Sequence, residues 1–160
     1  MNHDSLPHLK RQRQRQRRLA LQALSASCLG WAWPQARACE YYTGLLRVTH
    51  PWTRATPADA TTAVLCMRLD EVTTADRLIG VSTPVATGAE MGGAQPGLAV
   101  SIPVPADSVT ELSEAGVHVR LTGLKHPLQV GREYALTLEF ERSGTVLTRL
   151  SVDFTTQRFL

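Results

Sequence analysis

The chain has 160 residues and a formal net charge of +3, from 17 basic and 14 acidic side chains. This length predicts one domain with an appendage. The first 38 positions hold seven of the basic residues and one acidic residue, so the rest of the chain has 10 basic and 13 acidic side chains, a net charge of −3. The positive charge therefore belongs to the N-terminal segment. The net charge of the chain is thus no argument for nucleic-acid binding by the folded body.

The N-terminal segment has the order of an export signal. A basic block at residues 10–18 precedes an apolar stretch at residues 19–33, and Ala36-Arg37-Ala38 forms a small-x-small cleavage pattern. Gln22 and several serines interrupt the apolar stretch. It is therefore too short for a transmembrane helix, which needs about 20 mostly apolar residues.

We expect a signal peptide at residues 1–38, with cleavage after Ala38, and an exported periplasmic body at residues 39–160. That body would have no membrane span and no nucleic-acid partner. The alternative interpretation is a disordered basic arm that binds nucleic acid or anionic lipid. Such an arm needs neither the apolar stretch nor the cleavage pattern, so export is preferred.

Three cysteines are present, and Cys28 would leave with the signal. Cys39 and Cys66 would remain, and an oxidising compartment permits a disulfide between them. Cys66 lies in an apolar run, where a buried free thiol is at least as well supported. Lipid attachment at Cys28 or Cys39 is a further alternative, although neither has a leucine three residues before it.

The body is a series of short alternating or apolar runs separated by Gly, Pro, Asp and Thr, which predicts β-strands. The first six predicted strands cover residues 45–50, 62–69, 78–82, 98–104, 109–112 and 117–121. Residues 134–141 and 145–154 follow as a hairpin around Ser143-Gly144. The segment 83–96, rich in Gly, Ala, Pro and Thr, predicts a flexible loop.

No long run with helical periodicity occurs in the body, so the predicted fold class is all-β, a sandwich or barrel. A body of about 120 residues is large enough to bury one hydrophobic core. An enzymatic function is not expected, because no Ser/His/Asp order, paired carboxylates, phosphate loop or Cys-x-x-Cys stands out.

Five segments in the same order resemble the periplasmic PCu(A)C-type copper chaperones. The first contains Pro51-Trp52-Thr53-Arg54-Ala55-Thr56-Pro57, and an Ala/Thr-rich strand follows at residues 60–65. The others contain Ala75-Asp76-Arg77-Leu78-Ile79-Gly80, Val104-Pro105-Ala106 and Gly123-Leu124-Lys125-His126-Pro127-Leu128. The resemblance covers roughly residues 45–153.

The resemblance implies a single cupredoxin-like Greek-key β-sandwich domain, in agreement with the strand count. It also implies a role in carrying Cu(I) toward the copper centres of respiratory oxidases. The expected partners are therefore copper-accepting oxidase subunits or assembly factors. A soft ion such as Cu(I) prefers thioether and imidazole ligands, which explains the ligand types that the family uses.

The family's copper site uses a His or Met after Glu-Leu, a Met further along and a late His-x-Met. In this chain His118 matches the late histidine, but its methionine partner is Arg120. The position after Glu-Leu is Gly92, and Met91 lies one residue earlier, so on a strand it would face the opposite way. The metal ligands predicted from the resemblance are therefore His118 and Met91, with Cu(I) as the ion.

Several other residues are assigned structural roles. His50 and His126 precede prolines and are expected in turns, and Trp52 is expected to be buried at the sandwich edge. Arg54 is expected to pair with an acid such as Asp76. Two functions remain open: weak copper binding through His118 with Met91 or a partner's ligands, and a metal-free binding or assembly module on the same fold.

Overall fold

A computed structural model of the protein describes residues 40–153. Within this range the chain forms ten β-strands and no helix. They are β1 (Glu40–Tyr42), β2 (Arg47–Arg54), β3 (Thr62–Asp70), β4 (Asp76–Ser82), β5 (Gly88–Gly92), β6 (Ile102–Val104), β7 (Thr110–Leu112), β8 (His118–Thr122), β9 (Glu133–Phe140) and β10 (Gly144–Asp153). The predicted all-β class is confirmed.

The strands form one curled sheet in the order β5-β8-β3-β2-β10-β9-β4-β6, with β1 added to β2 and β7 added to β3. All pairs are antiparallel except β2 with β10, which run parallel at their ends. Strand β3 pairs with β8 along its first half and with β7 along its second half. Strand β3 therefore changes its pairing partner from β8 to β7 near the start of β8, and the candidate site lies at this junction.

The β9–β10 hairpin shows how the sequence pattern builds the core. Phe140 pairs with Gly144. Gly144 has a φ of 73°, which glycine adopts readily because it has no Cβ atom. Alternate residues of both strands, including Leu138 and Leu150, are fully buried. Because side chains alternate across a strand, these residues place one face of the hairpin in the core. The predicted hairpin is confirmed.

Two strands were not predicted as such. Strand β5 lies inside the segment predicted as a flexible loop at residues 83–96, and β1 precedes the first predicted strand. Glycines at 88, 92 and 93 hide the strand pattern of β5, because glycine has low strand propensity. Pairing with all five residues of β8 holds this segment extended. The loop prediction was wrong over residues 88–92.

Strand β2 contains an irregularity between Thr49 and Trp52, where its register with β3 shifts. His50 lies in this bulge with a φ of 46°, and its Nε2 lies 3.2 Å from Asp153 Oδ2. The expected turn geometry of His50 is therefore a bulge inside a strand. Trp52 is 5% exposed, which confirms its predicted burial.

The predicted signal peptide, Cys28 and Cys39 all lie outside the described residues, so cleavage after Ala38 and the state of Cys39 stay predictions. Cys66 is a buried free thiol. Between residues 40 and 153 there is no helix with the length and apolar character that a membrane span requires.

Candidate functional site

His118 is the first residue of β8, and it pairs with Gly92 at the end of β5. Its neighbour Val119 is fully buried, as is Leu121 two residues further on. Since these two side chains enter the core, His118 and Arg120 project from the opposite, outer face of the sheet. This outer face of β5 and β8 is the place where the sequence predicts copper ligands.

The His118 ring lies against the backbone of Gly92. A Cβ atom added at Gly92 would overlap the ring at Nε2. His118 Nδ1 lies 3.0 Å from the carbonyl oxygen of Gly116, which only an Nδ1–H can donate to. In this tautomer the lone pair is on Nε2, the ring nitrogen that lies against Gly92.

Gly93 also shapes the space that the ring of His118 occupies. Its φ is +76°, and a Cβ added there would lie 2.6 Å from the same Gly116 oxygen that His118 contacts. The two consecutive glycines therefore permit β5 to approach the turn before β8 closely. The space that a histidine side chain at position 92 would need is occupied by the ring of His118.

Arg120 is held by a carboxylate on the neighbouring strand. It pairs with Glu90 across β5 and β8, and its Nε donates to Glu90 Oε1 at 2.8 Å while Nη2 contacts the same oxygen. Both side chains are partly exposed. An ion pair therefore stands where the resemblance predicts a thioether, and it offers a soft cation nothing that Cu(I) prefers.

Met91 lies on the other face of the sheet. It pairs with the buried Val119 and is itself 6% exposed within the core. Its sulfur lies 3.5 Å from the backbone nitrogen of Ser101. The structure therefore does not bring the two predicted metal ligands together, since His118 faces outward and Met91 inward. Copper binding by either residue stays a prediction.

A second ion pair lies close to His118. Arg54 contacts both oxygens of Glu114, with its Nη2 at 2.8 Å from Oε2. The hydrogen bonds from Arg54 lower the pKa of the Glu114 carboxyl, and the nearby His118 acts in the same direction. Arg54 pairs with an acid, as expected, but this acid is Glu114 from the turn before β8 rather than the suggested Asp76. The contact depends on the sheet topology.

Asp76 has a different role. Its carboxylate accepts hydrogen bonds from the backbone nitrogens of Arg77, Arg142 and Ser143, at 2.7–2.8 Å. Burial alone would raise its pKa, but the hydrogen bond from the Ser143 side chain and those from the backbone outweigh that effect, and the pKa is lowered. Asp76 therefore anchors the β9–β10 turn to β4.

Cys66 adds little to the chemistry of the site. Burial, with the negative charge of Glu114 as the next cause, raises the pKa of its thiol to about 12. The thiolate is the form that ligates metals, so this cysteine is inert at neutral pH. Across residues 40–153 no cluster of three or more His, Cys, Asp or Glu side chains could hold a metal ion.

Sequence reasoning missed that the ring of His118 rests on Gly92. The available signal was spacing: Glu90 and Gly92 are two residues apart, as are His118 and Arg120. Two antiparallel strands with this spacing can pair both positions at once. The glycines in the segment hid the strand, and with it the pairing.

Comparisons with known proteins agree with this geometry. The "Apo PCuAC domain from PmoF1" superposes with a TM-score of 0.67 at 28% identity, covering 72% of this chain and 99% of that domain. The "Copper-bound PCuAC domain from PmoF2" gives 0.65 at 29% identity, with 72% and 98% covered.

Cu(I)-DR1885 from Deinococcus radiodurans gives a TM-score of 0.57 at 25% identity, covering 76% of this chain and 85% of that one. No curated protein matches the chain.

These neighbours confirm the cupredoxin-like β fold and the resemblance to PCuAC copper chaperones. A family model described as "Putative lipoprotein LpqE-like" matches residues 46–152, which includes β2 to β9 and all of β10 except Asp153. The chain therefore belongs to the LpqE-like family and has the fold of PCuAC copper-chaperone domains.

Proposed function

We propose that this chain is an exported copper-chaperone-like protein whose own Cu(I) site is reduced to one ligand, His118. Copper is its cargo, held between His118 and soft ligands that a partner supplies. The observation that carries this proposal is the contact of His118 Nδ1 with the Gly116 oxygen, which places the lone pair of the ring on Nε2. Because Nε2 lies against Gly92, the ring must turn away from this glycine to accept a metal.

The chain's own residues do not fit the full ligand set of the family. Gly92 has no side chain, Arg120 is a cation paired with Glu90, and Met91 lies in the core. A single imidazole holds Cu(I) weakly, since the ion prefers two to four soft ligands. Weak binding suits transfer, because an incomplete site releases its ion to a receiver with more ligands.

The proposed receivers are copper-accepting oxidase subunits or assembly factors, the partners that the family resemblance implies. Support for copper handling comes from the neighbours, two of which are titled as copper-bound forms. Export is supported by the basic block, apolar stretch and Ala-x-Ala pattern of residues 10–38, and by the lipoprotein description of the family model. That description also favours lipid attachment at Cys28 or Cys39, which intact mass after export would detect.

A second function is favoured by the Glu90–Arg120 pair and by the occupied space at Gly92. Both features fit a metal-free binding or assembly module that keeps the fold and has lost the copper site. The two functions differ in one measurable property, the affinity of the outer face of β5 and β8 for Cu(I).

The test is a Cu(I) titration against a chromophoric chelator under anaerobic, reducing conditions. Cys28 and Cys39 are replaced by serine, so that buried Cys66 is the remaining thiol. His118→Ala is compared with His126→Ala, a matched change of a second histidine, which is exposed. A peptide with two methionines is then added as a source of thioether ligands.

We expect weak competition that His118→Ala abolishes, that His126→Ala preserves and that the peptide strengthens by at least about tenfold, or about 1.4 kcal/mol. Competition that His118→Ala leaves unchanged would refute the site. No competition, with or without the peptide, would establish the metal-free module instead.

A further inference from the structure

A groove of about 640 Å³ opens between β5, β6 and β7. Met91 and Ile102 line it and are nearly fully buried, while Val109 and Val117 line it with 52% and 43% of their surface exposed. Large apolar side chains exposed at the edge of an apolar depression are typical of a binding surface.

The groove lies where the curled sheet does not close. Strands β5 and β6 are the two ends of the strand order, and β7 pairs only with β3 within the described range. All three contribute lining residues. Pro103 of β6 and Pro105 just after it have no backbone N–H, which disfavours addition of a further strand at that edge. An occupant would therefore be held mainly through its side chains.

The charge around the groove is negative. Glu111 lines the groove, and a second depression beside it, which shares Ser108 and Val109 with it, is lined by Glu71 and Asp107. No lysine or arginine lines either depression in the part of the chain that the structure describes.

Arg47 already pairs with Glu71, at 2.9 Å. Within residues 40–153, Asp107 forms no ion pair, and the exposed Glu111 lies opposite Arg68 across β7 and β3. Two exposed carboxylates beside an apolar groove favour an occupant that carries an apolar side chain and a nearby cation.

We propose that this groove docks an extended segment of a partner protein in which leucine, isoleucine or valine is followed closely by lysine or arginine. The apolar side chain packs between Val109 and Val117 above Met91. The cation pairs with Glu111 or Asp107. Residues two positions apart in an extended segment point the same way, so an apolar side chain and a basic side chain two positions later can reach the two depressions together.

This docking site is separate from the outer face of β5 and β8. Val117 and Met91 line the groove, whereas His118 projects from the other side of the same strand pair. Gly92 lines the groove and also contacts the ring of His118, so a segment in the groove would hold a partner beside that ring. The inference does not rest on copper binding, and it applies equally to a metal-free assembly module.

The test uses the full chain in metal-free buffer with a chelator and a fluorescein-labelled ten-residue peptide in which each lysine follows a leucine by two positions, with serine between them. Fluorescence anisotropy measures its binding. One control peptide has glutamate in place of lysine, and another has serine in place of leucine. The variants are Val109→Asp at the groove and Leu147→Asp as a matched change of a 73% exposed leucine on β10. Thermal unfolding verifies that both variants fold.

We expect the leucine–lysine peptide to bind at least about fivefold more tightly than either control peptide, and Val109→Asp to remove that advantage. Leu147→Asp should bind like the unchanged chain. Glu111→Lys should weaken the lysine peptide and strengthen the glutamate peptide. Equal binding of all three peptides, absence of binding, or equal losses in Val109→Asp and Leu147→Asp would each overturn the proposal.

Discussion

The two faces of the β5–β8 strand pair differ in burial and in the contacts of their side chains. The inward residues Met91, Val119 and Leu121 are 6%, 0% and 0% exposed and belong to the core. The outward residues His118 and Arg120 are partly exposed, and they hydrogen-bond Gly116 in the turn before β8 and Glu90 on β5, respectively. Because side chains alternate along a strand, the chemistry of one face can change while the packing of the other persists.

This difference explains how the chain keeps the fold of copper-chaperone domains without their ligand set. Replacing an outward methionine by arginine costs little when a carboxylate such as Glu90 lies opposite it. Replacing an inward leucine leaves a cavity in a close-packed interior. Four substitutions, with expected effects from large to small, test this difference between the faces.

Leu121→Ala should have the largest effect. Its side chain is fully buried, so the loss of transfer free energy and the remaining cavity should lower the free energy of unfolding by about 2–5 kcal/mol. Val117→Ala, four positions earlier on the same segment and 43% exposed, is the control change. Urea unfolding should show a cost below about 0.5 kcal/mol for it. Similar costs for both variants would contradict the division between the faces.

Asp76→Asn tests a polar anchor of the interior. An amide cannot satisfy the three backbone N–H groups as a carboxylate does, so we expect a loss of about 1–3 kcal/mol. The pKa of Asp76 is lowered in the folded chain, so its stabilisation is present above the unfolded value of about 3.9 and is lost as the pH falls through the folded value.

Unfolding followed from pH 7 to pH 2 should therefore show the variant approaching the unchanged chain in acid. The exposed Asp59→Asn is the control and should leave the pH profile unaltered. A difference between the chains that is constant over this pH range would refute the electrostatic part of the explanation.

Gly92→His combined with Arg120→Met rebuilds the ligand types that the family resemblance predicts on the outer face. We expect at least about tenfold tighter Cu(I) binding, equal to about 1.4 kcal/mol, because two soft or imidazole ligands join His118. The same double change with His118→Ala should lose most of that gain. Chelator competition measures each affinity, and no gain would indicate that the ring of His118 cannot leave its seat on Gly92.

Glu90→Gln should have the smallest effect. It removes one charge from a partly exposed ion pair, and such pairs contribute about 0–1 kcal/mol. The cost should decrease further in high salt, because exposed charges are screened. Urea unfolding at two salt concentrations measures it. A loss above about 2 kcal/mol would show that the outer face also determines the stability of the sheet.

Much of the fold could be predicted from local pattern. The β9–β10 hairpin follows from clean alternation on both sides of Ser143-Gly144, and β3 and β8 follow from β-branched and apolar runs. Local pattern failed at β5, where glycines dominate and the strand exists because β8 pairs with it. It also failed for Arg54, whose acid partner Glu114 is 60 positions away in sequence.

The sequence by itself determined the all-β class, the family resemblance, His118 as the retained ligand type and Arg120 as the departure from it, because these depend on residue identity and spacing. Only the tertiary structure decided that Met91 faces the core, that the ring of His118 rests on Gly92, and that Glu90 compensates Arg120. Each of these depends on which strand lies beside which, and strand order is set by the burial of the whole core. The groove between β5, β6 and β7 also depends on the tertiary structure, since it exists only where the curled sheet stays open.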